Sequence, residues 1–297
     1  SEKIKPNKIK NDIIASQKFF SIKEARLLAK KRLPKLVFDF VDGASGDERL
    51  AEINNKALDQ IRLMSRVLVN VEKRKFNKDF LGSQFDHPFG FAPMGMCNLT
   101  WPGADLMLAN ESLINNIPTC LSMAASTSLE IMYQQTEGRC WMQIYIGQDE
   151  EFVMDILRRA EIIGFKNIIL TVDVPVLSRR VRDERNGWTV PFKMGFNQFL
   201  DFAFHPRWSL SSLYYGVPKP MNYETSKSGK KFLRGESRGL TDWSTLDRVR
   251  NTWKGNLIVK GVMSSEDAVK IKMAGADAVY VSNHGGRQLD CAPSSVS

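Results

Sequence analysis

The 297-residue sequence lacks a long hydrophobic run and has few cysteines. No apolar stretch approaches the roughly 20 residues that span a bilayer, and the Lys-rich N-terminus lacks the apolar core of a signal peptide. These absences predict a cytoplasmic protein. The four cysteines, at positions 97, 120, 140 and 291, have neither C-x-x-C nor His-flanked spacing. We therefore predict no disulfide framework and no metal site, and expect buried free thiols.

The net charge of +9 is unevenly distributed. Residues 1–35 carry eleven Lys or Arg against three acids, and residues 190–240 carry eight against three. Neither region has a zinc finger, an RNP motif or basic residues interleaved with aromatic ones at a groove-like spacing. We therefore predict no nucleic-acid partner and interpret both regions as solvated surfaces in the first instance.

The chain also lacks the Gly-x-Gly-x-x-Gly opening of a dinucleotide fold. From residue 86 onward, short apolar runs alternate with amphipathic segments of helical length, which predicts an α/β fold with a parallel sheet. Strands are predicted at 88–93, 117–122, 140–146, 168–173, 257–261 and 278–282, and helices at 103–116, 150–164 and 265–275. The strand spacing and the polar strand ends favour a (β/α)8 TIM barrel, with the sequence expected to end after the sixth barrel strand.

Two regions interrupt this alternation. Residues 1–85 are largely helical in pattern, including 22–31 and 35–42, and are predicted to cap a barrel formed by 86–297. Residues 190–240 form an insertion far longer than a usual βα loop. Its first half is aromatic (Phe192, Phe196, Phe199, Phe202, Phe204, Trp208), and its end, 226–231, is basic and predicted to be mobile. The aromatic half either binds a membrane surface or partner, or packs over the barrel mouth.

Polar residues collect at the predicted strand ends: Gln143, Tyr145, Thr171, Asp173 and Lys260. His284 and Arg287 follow the sixth strand, in a turn whose glycine pair lets the backbone approach a ligand closely. Taken singly, such residues have ordinary explanations, because Tyr145 can be a core residue and Asp173 a helix cap. Their convergence on one rim instead predicts a ligand site.

This set of residues suits the oxidation of an anionic hydroxy compound. Arg287 is placed to hold a carboxylate, while His284 removes a proton and Asp173 stabilises the imidazolium that results. No side chain accepts a hydride, so a redox cofactor is required. A lysine at a strand end, Lys260, suits a cofactor that is anionic when reduced.

The sequence resembles the FMN-dependent L-2-hydroxy acid oxidases and dehydrogenases, which include glycolate oxidase, lactate dehydrogenase and mandelate dehydrogenase. The resemblance covers essentially the whole chain after its Lys-rich start. It rests on these motifs: Leu33-Pro34-Lys35 with Gly43-Ala44, Phe91-Ala92-Pro93-Met94-Gly95, Leu170-Thr171-Val172-Asp173-Val174-Pro175, Val259-Lys260-Gly261 and Ser282-Asn283-His284-Gly285-Gly286-Arg287-Gln288-Leu289-Asp290. The resemblance implies FMN as cofactor, a small 2-hydroxy carboxylate as substrate and a homotetrameric assembly.

The resemblance also implies a role for each motif position. Residues expected to contact the flavin are Pro93, Met94, Gly95, Ser122, Gln143, Thr171, Lys260, Ser282 and Gly285. Among them, Lys260 would stabilise negative charge on the reduced ring. His284 would be the base, paired with Asp173. Arg287 and Arg180 would bind the substrate carboxylate, and Tyr145 would lie near the substrate hydroxyl.

Two positions differ from many family members, and two further features are shared with only one branch of the family. Phe40 stands where many members have a Tyr that hydrogen-bonds the carboxylate, a change worth about 1 kcal/mol of binding. Ala124 replaces a bulky aromatic of glycolate oxidase, which predicts a substrate larger than glycolate. Gly95 and the stretch 205–210 resemble the membrane-associated mandelate and lactate dehydrogenases. In that branch electrons pass to a quinone or the respiratory chain, and a peripheral position on the inner face of the membrane is expected.

Family members continue for two further βα units, which carry the segments that bind the FMN phosphate. The sequence is therefore expected to be a fragment of a longer product, or one whose remainder was lost or is not represented, and as given it is expected to lack the phosphate half of its cofactor site. The alternatives are a truncated non-catalytic relative, a binding module, or an FMN-dependent isomerase on the same fold. An absorbance spectrum for bound flavin, and its bleaching by lactate or mandelate, separates them.

Overall fold

The computed structural model describes residues 19–189, 193–223, 232 and 235–296. Its N-terminal part contains three helices, α1 (Ile22–Arg32), α2 (Lys35–Asp42) and α3 (Arg49–Gln60). Helix α1 begins where the Ser21 side chain accepts a hydrogen bond from the backbone of Glu24, a typical N-cap. Helix α2 buries five successive residues, 36–40, against the rest of the protein. These helices confirm the predicted segments 22–31 and 35–42.

The remainder of the N-terminal region differs from the largely helical prediction. Residues 61–77 form no helix, and a hairpin follows, with β1 (Lys78–Phe80) paired antiparallel to β2 (Ser83–Phe85). Its two-residue turn, Leu81-Gly82, has positive φ at both positions, as this hairpin geometry requires. The Asn256 side chain donates to Leu81 O at 3.1 Å. The hairpin therefore lies at the amino ends of the sheet strands.

Six parallel strands form one sheet in chain order, as predicted. They are β3 (Phe91–Met94), β4 (Thr119–Ser122), β5 (Trp141–Ile144), β6 (Asn167–Thr171), β7 (Asn256–Val262) and β8 (Ala278–Val281). The helices that follow are α4 (Ala104–Ile114), α5 (Leu129–Gln135), α6 (Glu150–Ile163), α7 (Val181–Arg185), α8 (Phe196–Ala203), α9 (Pro206–Tyr215), α10 (Trp243–Thr252) and α11 (Ser265–Met273). Parallel strands alternating with helices make a TIM-barrel-like α/β fold. Closure by eight strands and the boundary at residue 85 stay predictions.

The central strands of the sheet are buried on both faces. Every residue of β5 and β6 is buried, which explains why these strands are almost continuous apolar runs in the sequence. One large apolar cluster, which includes Met142, Ile156 and Val249, joins the strands to the surrounding helices. A second, with Phe85, Trp141 and Ile169, lies between the sheet and the hairpin. Helices and hairpin thus leave the carboxyl edge of the strands for polar residues.

The aromatic half of the insertion contains both packed and exposed side chains. Trp208 is buried, its indole N–H donates to Leu99 O at 2.8 Å, and its ring packs against Phe202. In contrast, Phe196 and Phe204 are 75% and 81% exposed. Phe192 and the basic stretch 226–231 lie outside the described residues. Within the described ranges, no helix is long and apolar enough to cross a membrane.

The cysteines only partly match the expectation of buried thiols. Cys140 is buried, Cys97 and Cys120 are intermediate, and Cys291 is exposed. All four are free. Cys291 follows the Ser282–Asp290 motif in a surface turn.

Candidate active site

Four of the predicted polar residues lie side by side at the ends of the central strands. Ser122, Gln143, Thr171 and Lys260 are each less than a tenth exposed. The sheet register pairs Ser122 with Gln143, and Thr171 with Lys260. Ser122 Oγ donates to Gln143 Oε1 at 3.0 Å, and Gln143 Nε2 donates to Thr171 Oγ1 at 2.9 Å. Because these buried groups satisfy one another, the carboxyl edge carries a polar row that an apolar barrel interior lacks.

Lys260 places a cation in this row. Burial lowers the pKa of its ammonium, and the nearby carboxylate of Asp173 acts in the opposite direction. The next residue, Gly261, has φ of 103°, and a Cβ there would lie 2.5 Å from the Asp173 Cβ. Only glycine therefore lets strand β7 pass this close to Asp173.

His284 and Asp173 form a hydrogen-bonded pair. Their Nδ1 and Oδ1 atoms are 2.8 Å apart, with side chains 18% and 12% exposed. Burial lowers the pKa of the His284 imidazole below its ordinary value of 6.5, although the hydrogen bond to the Asp173 carboxylate acts to raise it; Lys260 and Arg180 lower it further. The lowered pKa favours the neutral form of the ring. With Nδ1–H donated to Asp173, the lone pair resides on Nε2, which is the arrangement of a general base.

The turn after β8 holds His284 in an uncommon backbone conformation. His284, Gly285 and Gly286 have φ of 60°, 66° and 75°. Asn283 Oδ1 accepts from Gly286 N at 3.3 Å, and Ser282 Oγ accepts from His284 N at 3.0 Å. A Cβ on Gly286 would lie 2.8 Å from Ala51 N, whereas one on Gly285 would meet nothing within 4 Å. Gly286 thus serves packing against α3, and Gly285 keeps one side of the turn open.

Arg287 reaches the cap helices. Its guanidinium donates to the carbonyl oxygens of Phe40 at 2.7 Å, Val41 at 2.9 Å and Gly43 at 2.5 Å, at the C-terminal end of α2. A cation there is favoured by the helix dipole. Arg287, which is predicted to bind the substrate carboxylate, therefore also connects the turn after β8 to the C-terminal end of α2.

Arg180 lies after β6 and contacts the same N-terminal segment. It precedes α7 and forms an isolated parallel bridge with Gly46. The guanidinium carbons of Arg180 and Arg287 are 5.7 and 5.8 Å from the ring centroid of Phe40. The structure thus brings the two predicted arginines together around Phe40, the position where the resemblance leads one to expect a tyrosine.

The Phe40 ring is itself fixed by Trp188. The two rings stack, with centroids 4.5 Å apart and an interplanar angle of 9°. Tyr145, one residue beyond β5, is partly buried, and burial raises the pKa of its hydroxyl. It therefore stays protonated at neutral pH and can donate a hydrogen bond.

The segment 93–95 ends β3 at the same edge of the sheet. Met94 is 46% exposed, so this backbone is open to a ligand. A Cβ on Gly95 would lie 3.0 Å from the Cβ of Ala124, and Met96 N donates to Ala124 O. A larger side chain at either position 95 or position 124 would therefore collide with the other residue.

Sequence reasoning gave no role to two residues that the structure places at this rim. Asp290 accepts hydrogen bonds from the backbone of Asp47 and Leu50, at 3.0 and 3.1 Å, at the start of α3. The Arg238 guanidinium lies 4.6 Å from the Tyr145 ring centroid. Asp290 could have been identified from the sequence, because it belongs to the most specific motif. Arg238 lies in a basic loop, and no feature of the sequence identifies it.

A TIM-barrel-like sheet whose carboxyl edge carries a base–carboxylate pair and several cations defines an enzyme site for a small anionic ligand. The profile of the FMN-dependent dehydrogenase family matches residues 29–297. (S)-Mandelate dehydrogenase of Pseudomonas putida is 35% identical over 282 residues, which are 93% of this chain and 72% of that protein. L-Lactate dehydrogenase of Pseudomonas syringae pv. syringae is 30% identical over 278 residues, 91% of this chain and 73% of that protein.

Solved structures agree with these sequence matches. The crystal structure of the monotopic membrane protein (S)-mandelate dehydrogenase has a TM-score of 0.89 and 34% identity, over 94% of this chain and 76% of that one. A mandelate oxidase variant with (S)-mandelic acid has a TM-score of 0.76 and 29% identity, over 93% and 71%. The chain therefore belongs to the FMN-dependent dehydrogenase family, and FMN is its cofactor.

Proposed function

We propose that the protein oxidises an L-2-hydroxy acid to the 2-oxo acid. The observation that carries this proposal is the His284–Asp173 pair, 2.8 Å long and neutral at the imidazole, next to the arginines around Phe40. A hydroxy acid needs two things from the protein. One is a base for its hydroxyl proton, and the other is a cation for its carboxylate.

The residues of the carboxyl edge fit FMN. Bound there, FMN supplies the acceptor for the two electrons that leave the substrate. The flavin ring has an amide-like edge with donors and acceptors, and the hydroxyls and amide of Ser122, Gln143 and Thr171 can both donate and accept. Lys260 adds a buried positive charge for the anionic reduced ring. We assign the open backbone at 93–95, and Ser282 and Gly285 beside the base, to the same ligand.

His284 Nε2 would take the proton of the substrate hydroxyl. Asp173 would stabilise the imidazolium that forms, because its carboxylate already accepts from Nδ1. Arg180 and Arg287 would hold the substrate carboxylate, and Tyr145 would donate to the oxygen of the substrate hydroxyl. Phe40 would contribute an apolar ring between the arginines in place of a hydroxyl donor.

The side chain of the substrate is proposed to be larger than that of glycolate. Ala124 packs against Gly95 and presents one methyl group where the resemblance leads one to expect a bulky aromatic ring. Both mandelate dehydrogenase and mandelate oxidase are among the matched relatives. We therefore expect 2-hydroxy acids with aryl or longer alkyl groups to be preferred.

Anaerobic mixing tests this proposal. The purified protein, reconstituted with FMN, is mixed in a stopped-flow instrument with (S)-mandelate, L-lactate or glycolate, and the flavin band near ~450 nm is followed. Bleaching that is fastest with the larger acids supports the proposal. A flavin spectrum that none of the acids bleaches contradicts it and favours an isomerase. A protein that binds no flavin favours the non-catalytic alternative.

We also propose that the protein acts on a membrane surface and passes electrons to a quinone. Helices α8 and α9 expose an apolar face formed by Phe196, Phe199, Phe204, Leu210, Leu213 and Tyr214. A patch of this kind is typical of a docking surface, and a matched relative is described as a monotopic membrane protein. After anaerobic reduction, reoxidation by a soluble quinone should be much faster than by oxygen. Reoxidation by oxygen at hundreds per second would contradict the quinone assignment.

The assembly is proposed to be a homotetramer at the inner face of the membrane. This proposal rests on the family resemblance and on the exposed apolar face of α8 and α9. Light scattering in detergent, together with fractionation of producing cells, tests both statements. A monomer found wholly in the soluble fraction would contradict them.

A further inference from the structure

Arg238 is a buried cation that the proposed mechanism does not use. It lies where the insertion returns to the sheet, and it is only 7% exposed. Its guanidinium carbon is 4.6 Å from the ring centroid of Tyr145 and 5.3 Å from that of Phe232, so the charge is held between two aromatic rings. Its backbone N–H donates to Pro175 O at 2.8 Å. The residue is therefore fixed at both its backbone and its side chain.

The return of the insertion is closely fitted to the loop after β5. An ideal Cβ on Gly147 would lie 1.8 Å from Glu236 Oε1 and 2.8 Å from the Phe232 ring. Glycine at 147 therefore allows the return segment, Phe232 with residues 235–238, to pack closely against the loop after β5. Phe232 belongs to the main apolar cluster and packs against Tyr223 and Phe152. Through these contacts the return segment packs on the apolar core and is not an exposed loop.

Burying a guanidinium is costly unless its charge interacts with something. An aromatic face offsets part of that cost when the pair is desolvated. The same contact restricts the aromatic ring to one orientation. Here the ring is that of Tyr145, whose hydroxyl is proposed to donate a hydrogen bond to the substrate.

We propose that Arg238 is a positioning residue that holds the Tyr145 phenol between the return segment and β5, so that its hydroxyl meets the hydroxyl of the substrate. This inference rests on the proposed oxidation of a 2-hydroxy acid. It makes the end of the insertion a part of the substrate site. The charges of Arg238 and Arg180 also oppose the effect of burial on the pKa of Tyr145, which strengthens the phenol as a donor.

A double-mutant cycle with Arg238→Met and Tyr145→Phe tests this proposal. Phenylalanine keeps the ring and removes only the hydroxyl, so a cation that merely packs against the ring is needed equally in both backgrounds. A cation that positions the hydroxyl has nothing left to position in the Phe background. The measured quantities are the limiting rate of flavin reduction by a hydroxy acid and the substrate dissociation constant.

Arg238→Met should lower the limiting rate about tenfold in the wild-type background and less than about twofold in the Tyr145→Phe background. The dissociation constant should change less than the rate. Arg238→Lys should restore part of the rate, and Gly147→Ala, which displaces the return segment without changing a charge, should reproduce the loss. Arg248→Met, at an exposed pair with Glu150, is the matched control and should match wild type.

Equal losses in both backgrounds would overturn the proposal and leave Arg238 a packing role. So would an unchanged rate in Arg238→Met. If wild-type protein with bound flavin is not reduced by any hydroxy acid, the proposed function itself fails. If the wild type is reduced and the cycle is additive, only the positioning role fails.

Discussion

The carboxyl edge of the sheet and the outer face of the insertion depart from an ordinary globular protein in opposite ways. At the carboxyl edge, polar and charged side chains such as Gln143 and Lys260 are buried. On α8 and α9, large apolar side chains such as Phe204 are exposed. Both arrangements cost free energy unless something compensates for them. Each therefore indicates a ligand, and the two ligands differ in chemistry.

The two regions also differ in how they are held. The carboxyl edge is fastened by contacts between residues far apart in the sequence, such as Arg287 with Phe40 and Asp290 with Leu50. The insertion is anchored at Trp208 and Arg238, while the large apolar side chains of its outer face are exposed. We therefore expect substitutions at the edge to change chemistry or stability, and substitutions on the apolar face to change only membrane binding.

The largest effect is expected for His284→Asn. Asparagine is close in size but cannot act as a base, so flavin reduction by a hydroxy acid should fall about 10³-fold. The flavin spectrum should be retained. His87→Asn, outside the site, makes the same substitution as a control and should reduce at the wild-type rate. Equal rates for His284→Asn and wild type would remove the base from the mechanism.

The two arginines separate binding from stability. Arg180→Met and Arg287→Met should each weaken substrate binding about 100-fold, because each removes a charged partner of the carboxylate. Only Arg287→Met should also lower the melting temperature clearly, because it leaves carbonyl groups at the end of α2 without their donor. Differential scanning calorimetry with substrate titrations checks this. Equal melting temperatures for the two variants would contradict the anchoring role of Arg287.

A smaller effect is expected at the start of α3. Asp290→Ala removes the acceptor for the backbone N–H groups of Asp47 and Leu50, which should lower the free energy of unfolding by about 1–2 kcal/mol. Asp290→Asn should lose less, because an amide oxygen still accepts. Urea unfolding measures both. If the Asp290→Ala and Asp290→Asn proteins are both as stable as wild type, the Asp290 carboxylate does not cap α3.

The smallest effect on chemistry is expected on the apolar face. Phe196→Ser with Phe204→Ser should abolish co-sedimentation with vesicles of phosphatidylglycerol and phosphatidylethanolamine. The rate of flavin reduction should stay within about twofold of wild type, since neither ring lies at the carboxyl edge. Ile162→Ser, which is 81% exposed on α6, is the control for a general change in surface polarity. Equal sedimentation of all three proteins would contradict a membrane surface on α8 and α9.

The sequence predicts what depends on local pattern. The alternation of apolar runs and amphipathic segments is enough to place all six strands, and position at a strand end is enough to select Gln143, Thr171 and Lys260. The hairpin at 78–85 is missed, because its strands are three residues long and largely exposed. Such short elements have no periodicity, and only the Leu81-Gly82 turn hints at them.

Contacts across the fold cannot be read in this way. The hydrogen bond from Arg287 to Phe40 O joins residues 247 positions apart, and no sequence feature of either segment predicts the contact. Arg238 stands in a basic, polar stretch that resembles a solvated loop, yet the return of the insertion buries it against Tyr145. The resemblance identifies the motif residues, whereas the partners that hold them depend on tertiary packing.

The pH dependence of flavin reduction tests the His284–Asp173 assignment most directly. The base must be neutral, and its pKa is lowered, so the rate should be constant near pH 7 and fall as pH drops through a value below 6.5. Asp173→Asn removes the group that raises this pKa, so the acid limb should move to still lower pH while the plateau falls about 100-fold or more. An acid limb at the same pH in both proteins, with an equal plateau, would contradict the account.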